Sequence, residues 1–564
     1  MARARSAPAR SLRALALDPR LLAWLSLALL AYQIGLIAFA PGFPTQDGCS
    51  HAYNALVLRE LLLHPGSAFH SLYALNSYPA SNWTTFLLLS IADALVGPRH
   101  VEQALALLTI LCLYAAMYYA QTALAPRRAL LWPGLNALLN VWFLWMGFYS
   151  FYLGVALSVF CVGYYIRHLQ HLVARHYLWI GLLMVALYFT HPMAQGLTAL
   201  ILSIVCIWGN PGASRQPHEA SGDRRLSRGV QSVLRSYASL LLAMAPSAVF
   251  LLIFLRQERF GRPQLASLKE LGARLFFFPA DIFSIQSSDF SLHVDDAICV
   301  LVLLGVFSSV LLWKRANWLS AQGGLFSAAI LMFGIYLITP KATGEAVFLT
   351  ERMGWMILVF SIVAVSAQVR SRVVFSVLGL FLVPFVGAHL TLSALGARSA
   401  NRARAHYFSL EQMIRPGATL LRLNYPADQF EKKYELPSLS YDPLLHAANA
   451  VALRRRCLSW SNYEAVSKAF PVVYRSLSAA DKNLLGALQD RDEEKAERLK
   501  SFLARFRTDY VLVYGELPEP GTSAEANQES ADDFRAALET LSRDYDLAAI
   551  SADAPVLRLY QKRR

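Results

Sequence analysis

The sequence predicts a polytopic α-helical membrane protein with about 11–13 transmembrane helices, followed by a C-terminal extracytoplasmic α/β domain. Three observations predict it. Of 564 residues, 55% are hydrophobic and 16% charged, whereas a soluble protein carries about 25% charged residues. The apolar residues are grouped in runs near the length that crosses ~30 Å of hydrocarbon. From Arg398 the composition becomes that of a soluble domain.

Charge divides at the same place. The net +14 comes from 52 Lys and Arg against 38 Asp and Glu. From Arg398 onward 25 basic residues meet 23 acidic ones, a net of +2; residues 1–397 hold the other 27 and 15, a net of +12. An excess held in the apolar part reports membrane orientation, so no nucleic-acid partner is expected.

Residues 1–20 are rich in Arg and Ala and would suit a signal n-region. The apolar run 21–40 is long enough to span, and no small-residue cleavage site follows, so it is read as a retained first helix with a cytoplasmic N-terminus. Further spans are expected near 79–97, 101–123, 129–146, 148–166, 177–190, 192–209, 233–255, 295–313, 319–338, 348–368 and 373–397. Pro133-Gly134 and His191-Pro192 interrupt them; such breaks are tolerated at membrane depth where they are buried in protein or line a cavity.

Basic clusters at 167–175, 215–235, Lys314-Arg315 and 370–372 read as cytoplasmic. Alternation then places His191, the 256–294 loop, the 339–352 loop and everything after 397 outside. Counting every span from a cytoplasmic Met1 would instead leave the C-terminus inside. We follow the basic loops and expect an odd number of spans, one assignment between 79 and 146 being wrong or one span missed.

This gives a transmembrane domain over 1–397, with a first outer loop at 41–78, and a soluble domain over 398–564. In the latter, strands are expected near 418–423, 510–514 and 556–560, and helices near 441–455, 479–506 and 531–543, an α/β alternation. The charged run 490–500 reads as a solvated helix face. Six scattered cysteines form neither a C-x-x-C pair nor a zinc pattern.

The first outer loop carries the most informative segment, Pro44-Thr45-Gln46-Asp47-Gly48-Cys49-Ser50-His51-Ala52-Tyr53-Asn54-Ala55-Leu56. Asp47 or Ser50 would cap a helix running to about Leu63 and lying on the membrane surface. His51 follows Asp47 by four residues, so both would share one helix face. Asp47 and His51 would also suit a divalent cation, although two ligands make no site; no cofactor is firmly implied.

An acid just outside the first transmembrane helix, followed by a helix of the D-G-x-x-H-x-Y-N-A kind, resembles the GT-C membrane glycosyltransferases. That family includes protein O-mannosyltransferases and lipid A aminoarabinose transferase. The resemblance implies 11–13 spans, an outward-facing site, and transfer of sugar from a polyprenyl-phosphate carrier to an extracytoplasmic acceptor. It assigns Asp47 the role of general base or acceptor-positioning group. Gly48 stands where the family commonly has a second acid, which leaves His51 as helper.

A lipid-phosphate leaving group needs fixed cations. Arg352 and Lys341, in Thr339-Pro340-Lys341-Ala342-Thr343-Gly344-Glu345 and Glu351-Arg352, are the candidates for that role, since Arg grips phosphate with two parallel hydrogen bonds; a snorkelling Arg352 is the bland alternative. His191, at a helix break, is a site candidate or a cap. Asp281 and Asp289 lie in an aromatic outer loop that reads as a lipid lid or an interfacial belt.

Residues 142–151 are dense in aromatics and are read as packing. Two polar-aromatic clusters, Tyr441-Asp442-Pro443-Leu444-Leu445-His446 and Ser459-Trp460-Ser461-Asn462-Tyr463-Glu464, are read as ordinary domain core and turns. Asn82-Trp83-Thr84 matches a glycosylation sequon.

The expected function is therefore an inverting membrane glycosyltransferase of a bacterial inner membrane, its partners a polyprenyl-phosphate-linked sugar, an unspecified acceptor and membrane lipids. A lipid or solute transporter, or a non-catalytic relative acting in envelope assembly, are the alternatives; broken helices and an intramembrane His suit transport too.

Overall fold

Runs of apolar residues become long helices. The computed structural model describes residues 19–125, 132–209, 222–257, 267–278, 280–312, 320–342, 347–366, 372–489, 495–516, 525–551 and 556–563. Among the described residues, nine helices are long and apolar enough to cross a membrane. They are Arg20–Ala38, Val101–Leu124, Tyr149–His171, Pro192–Gly209, Val230–Arg256, Asp289–Leu311, Ala321–Ile338, Leu349–Ser366 and Ser376–Met413. The chain is an integral, multi-pass membrane protein. The basic residues Lys314, Arg315 and Arg370 fall outside the described residues.

Two expected spans differ. The 79–97 run forms the helix Trp83–Val96, whose 14 residues cover about 21 Å at 1.5 Å per residue, short of a bilayer. The 129–146 run breaks into Gly134–Ala137 and Trp142–Met146. At His191 the helix Ala174–Thr190 ends and the next begins on Pro192, the position where a missing N–H costs nothing.

The chain folds as two compact units: Met1–Ala38 with Ala106–Leu144 and Tyr149–Ser393, and Phe39–Leu105 with Trp145–Phe148 and Ala394–Arg564. The sequence boundary at 397/398 lies inside the helix Arg372–Phe408, because residues 398–408 contain neither Gly nor Pro to stop it. The first outer loop belongs with the C-terminal residues in the second unit.

Among the described residues of that second unit, seven strands form two sheets. β1 (Tyr73–Leu75) pairs antiparallel with β4 (Val472–Tyr474). The larger sheet contains β2 (Thr419–Asn424), β3 (Leu458–Ser459), β5 (Tyr510–Tyr514), β6 (Tyr545–Ile550) and β7 (Leu557–Lys562) in the order β3-β2-β5-β7-β6. β2 runs parallel to β3 and β5, and β7 antiparallel to β5 and β6. β5 is buried along its whole length, as its unbroken Tyr-Val-Leu-Val-Tyr run requires of a strand covered on both faces. The short strands and β6 escaped sequence reading, because two or three residues, or a run such as Tyr-Asp-Leu-Ala-Ala-Ile, carry no period-2 signal.

Candidate functional site

The helix Gly48–Leu63 carries the first-loop motif. It does not lie on a surface. Gly48 through Leu58 are all buried, with Glu60 and Leu61, and its polar residues Ser50, His51, Asn54 and Glu60 meet partners inside the protein. It packs inside the second unit against Trp83–Val96 and the helix Ala447–Arg455.

Asp47 occupies the N-cap position, but its side chain makes no capping hydrogen bond. Other groups hold this turn. The Gly48 amide donates to Thr45 Oγ1 at 3.1 Å, and Thr45 in turn donates to Glu102 Oε2 at 2.8 Å. The amides of Gln46 and Asp47 donate to the carbonyls of Trp145 and Met146, at 3.1 and 3.0 Å. Gly147 makes that docking possible: its φ is +80°, and a Cβ there would lie 2.5 Å from the Gly48 nitrogen. The loop is thus fixed by backbone bonds, which leaves the Asp47 carboxylate for other work.

That carboxylate is buried at 8% exposure. Burial is the main cause that lifts its pKa from the ordinary carboxylate value to about 6, with Glu464 adding to the rise and His51 opposing it. His51 Nδ1 lies 2.9 Å from Glu464 Oε1, off the line of an aligned hydrogen bond, since neither atom has one. Burial disfavours the His51 cation, but the Glu464 charge and contact outweigh it, aided by Asp47, and the ring's pKa is raised. Glu464 is fully buried and also accepts a hydrogen bond from Asn54 Nδ2 at 2.9 Å, and Asn54 exchanges a second pair of bonds with Asn462 at 2.8 and 2.9 Å.

His446 approaches Asp47 from the other side, Nε2 to Oδ1 at 3.5 Å. Burial, then the charges of Arg422 and His51, push its pKa down to about 3, so this contact is with a neutral ring and is not an ion pair. The ring stacks on Tyr463 with centroids 4.4 Å apart. Asp47 is therefore flanked by one His that favours the proton and one that refuses it. Two titratable groups driven apart by their surroundings mark a candidate acid–base site.

The partners of Asp47 come from both C-terminal clusters that sequence reading assigned to ordinary core. Their signal was present as buried-type aromatics alternating with Asn, His and Glu, but nothing in a linear pattern shows that residues some 400 positions away meet Asp47. Among the described residues, no group of three or more His, Cys, Asp or Glu side chains is arranged to hold a metal ion. Asn82 of the sequon is buried, and its amide donates to Ser81 and to the Ala469 carbonyl, so it is no open acceptor.

The other expected residues lie in the first unit and fall in two places. Arg352 and His191 meet on one ring. The Arg352 guanidinium lies 5.5 Å from the Phe151 centroid, and the His191 ring packs edge-on to Phe151 at 5.1 Å. Lys341 and Asp281 instead line a cavity of about 480 Å³ together with Arg274, Tyr336 and Glu351. Burial and the Glu351 charge raise the Asp281 carboxyl, against the pull of Lys341. Arg274, which sequence reading missed, is buried and donates to the carbonyls of Tyr336 and Leu337 at 3.1 and 2.9 Å, the last turn of Ala321–Ile338. A cation there satisfies carbonyls that the helix itself cannot.

No protein-family model matches this sequence, and no curated protein does. Among solved structures the chain is similar to the oligosaccharyltransferase of Archaeoglobus fulgidus in complex with zinc and sulfate. That similarity has a TM-score of 0.43 at 10% identity, over 87% of this chain and 68% of that one. The apo form of the same enzyme gives 0.42 at 9%, over 87% and 69%. An arabinofuranosyltransferase from mycobacteria, in a mutant form, gives 0.46 at 13%, over 97% of this chain and 42% of the other, so the chain spans less than half of that protein's length.

Proposed function

We propose that this protein is a membrane glycosyltransferase of the GT-C type, which moves a sugar from a polyprenyl-phosphate carrier to an acceptor hydroxyl outside the cytoplasm. The carrying observation is Asp47: a buried carboxylate at a helix start, relieved of capping, with its pKa raised to about 6. A base poised near neutral pH can be ionised yet still accept a proton efficiently.

The acceptor hydroxyl gives its proton to Asp47 as its oxygen bonds to the anomeric carbon. The bond from that carbon to the phosphate oxygen breaks, and the lipid phosphate leaves with the electron pair. One displacement inverts the anomeric centre. His51, kept basic by Glu464, stabilises the ionised Asp47 and is the assisting residue. Arg352, Lys341, His191 and Asp281 are proposed on the donor side, with Arg352 the first candidate for the phosphate.

The orientation rests on the basic loops: read as cytoplasmic, they leave the C-terminal residues outside. We place the protein in a bacterial inner membrane.

The test is turnover by the purified full-length protein. Incubation with a radiolabelled polyprenyl-phosphate sugar and a membrane-derived acceptor fraction should give labelled acceptor and free polyprenyl phosphate in equal amounts. Uptake or flipping of the intact lipid without cleavage would identify a transporter instead.

A further inference from the structure

The α/β part of the second unit holds a buried cation without a counter-ion. Arg422, on β2, is 5% exposed, and it forms no ion pair among the described residues. Its Nε and Nη2 are buried and have no hydrogen-bond partner. Those two N–H groups form one edge of the guanidinium, the parallel fork that matches two acceptor oxygens. Two residues on, and so on the same face of the strand, Asn424 is 1% exposed with both Oδ1 and Nδ2 unpartnered.

Both residues line one small cavity, with His446, Asn449, Ser461 and Gln489. Asn424 ends β2. From β2 the chain passes to β3 on one flank and then to β5 on the other, the kind of switch point beside which ligands bind in open α/β sheets. The Arg422 guanidinium lies over the Tyr407 ring, 5.7 Å from its centroid, but a ring does not replace a counter-ion, and a buried charge and amide with unmet hydrogen-bonding groups cost stability.

The unmet groups describe what they would take. Arg422 offers two parallel donors, and Asn424 adds one donor and one acceptor. The cavity measures about 20 Å³, room for one or two water-sized groups. That suits the two oxygens of a carboxylate and is too small for a tetrahedral phosphate. His446 joins this cavity to the candidate base, since it lines the one and its Nε2 is 3.5 Å from Asp47 Oδ1.

We propose that Arg422 and Asn424 form a carboxylate-binding subsite, and that the acceptor is an acidic sugar whose carboxylate seats there while a neighbouring hydroxyl is presented to Asp47. The acceptor assignment rests on the glycosyltransferase reading; the subsite rests on the cavity alone.

The test is calorimetric titration of the detergent-solubilised full-length protein at neutral pH with D-glucuronate, D-glucose and N-acetylalanine. Glucuronate should bind, and neither glucose nor N-acetylalanine should match it. Arg422→Lys, which keeps the charge but loses the fork, should weaken glucuronate at least about tenfold. Arg422→Met should abolish binding while leaving thermal stability at or above the wild-type value, because it removes an unpaired buried charge. Retained glucuronate binding in both Arg422 variants, absence of binding in the wild type, or equal binding of inorganic phosphate would overturn the subsite. Binding of N-acetylalanine alone would overturn the acidic-sugar assignment. Arg422-dependent binding together with undiminished transfer by Asp47→Asn would leave the subsite standing and remove the catalytic reading.

Discussion

The two units treat their charged residues differently. In the second, Asp47, His51 and Glu464 are buried and His446 half-buried in one closely spaced cluster, stiffened by Asn54 and Asn462. In the first, the expected phosphate-binding residues split between the Phe151 ring, which gathers Arg352 and His191, and a cavity of about 480 Å³ edged by an exposed Lys341. The difference separates two kinds of site. A proton-transfer group needs its surroundings fixed to within hydrogen-bond reach, so it is built into a packed core. A site for a long, mobile lipid phosphate can use separate cations, each reached by part of the ligand.

If that contrast is right, changes in the Asp47 cluster act on the chemical step and those in the first unit act on donor affinity. After Asp47 itself, the largest effect is expected from Glu464→Gln. Losing the charge that keeps His51 basic should lower transfer by roughly 10- to 100-fold with little change in donor KM. A change confined to KM would blur the two regions.

Stability against pH should follow Asp47 next. Its folded pKa, about 6, lies above the unfolded value near 3.8, so the folded state holds the proton more tightly. The resulting stability is present below about pH 4 and is lost as pH rises through 6, by at most about 3 kcal/mol. The raised His51 acts with the same sign. Chemical denaturation of wild type and Asp47→Asn at pH 4.5 and 7 should therefore show the wild type losing ground to the variant at the higher pH; a gain would break the account of Asp47 as a desolvated carboxylate.

Gly147→Ala should destabilise by about 1–3 kcal/mol, because the residue combines a positive φ with a 2.5 Å approach to Gly48. A thermal melt checks it, and an unchanged melting temperature would show that the loop carrying Asp47 is not pinned there. The smallest effect belongs to Lys341→Ala. An exposed cation contributes little, so donor KM should rise only about two- to fivefold, against about tenfold for Arg352→Ala, with kcat nearly constant for both. The reverse order would make the cavity, not the Phe151 ring, the place of the phosphate.

Helices whose signal is a continuous apolar run were legible in the sequence, as were the helix after Asp47 and β5. The failures have physical causes. The 79–97 run is apolar enough for a span but folds as a 14-residue helix within the second unit. Of the candidate site, the nearness of Asp47 and His51 was legible because four residues on a helix fix their neighbourhood. Glu464, His446 and Arg422 were not, because β2, β3 and the helix between them bring these residues to the site through long-range packing. Arg274 was missed for a simpler reason, since an Arg that binds helix-end carbonyls has no fixed spacing from them.

The most direct measurement compares wild type with Asp47→Asn in transfer from a radiolabelled polyprenyl-phosphate sugar, with binding of that donor measured in parallel. Asn keeps the size and polarity of Asp47 but cannot take the acceptor proton. The account predicts donor binding within about twofold of wild type and transfer reduced by 10²- to 10⁴-fold. Transfer by Asp47→Asn at the wild-type rate would contradict it.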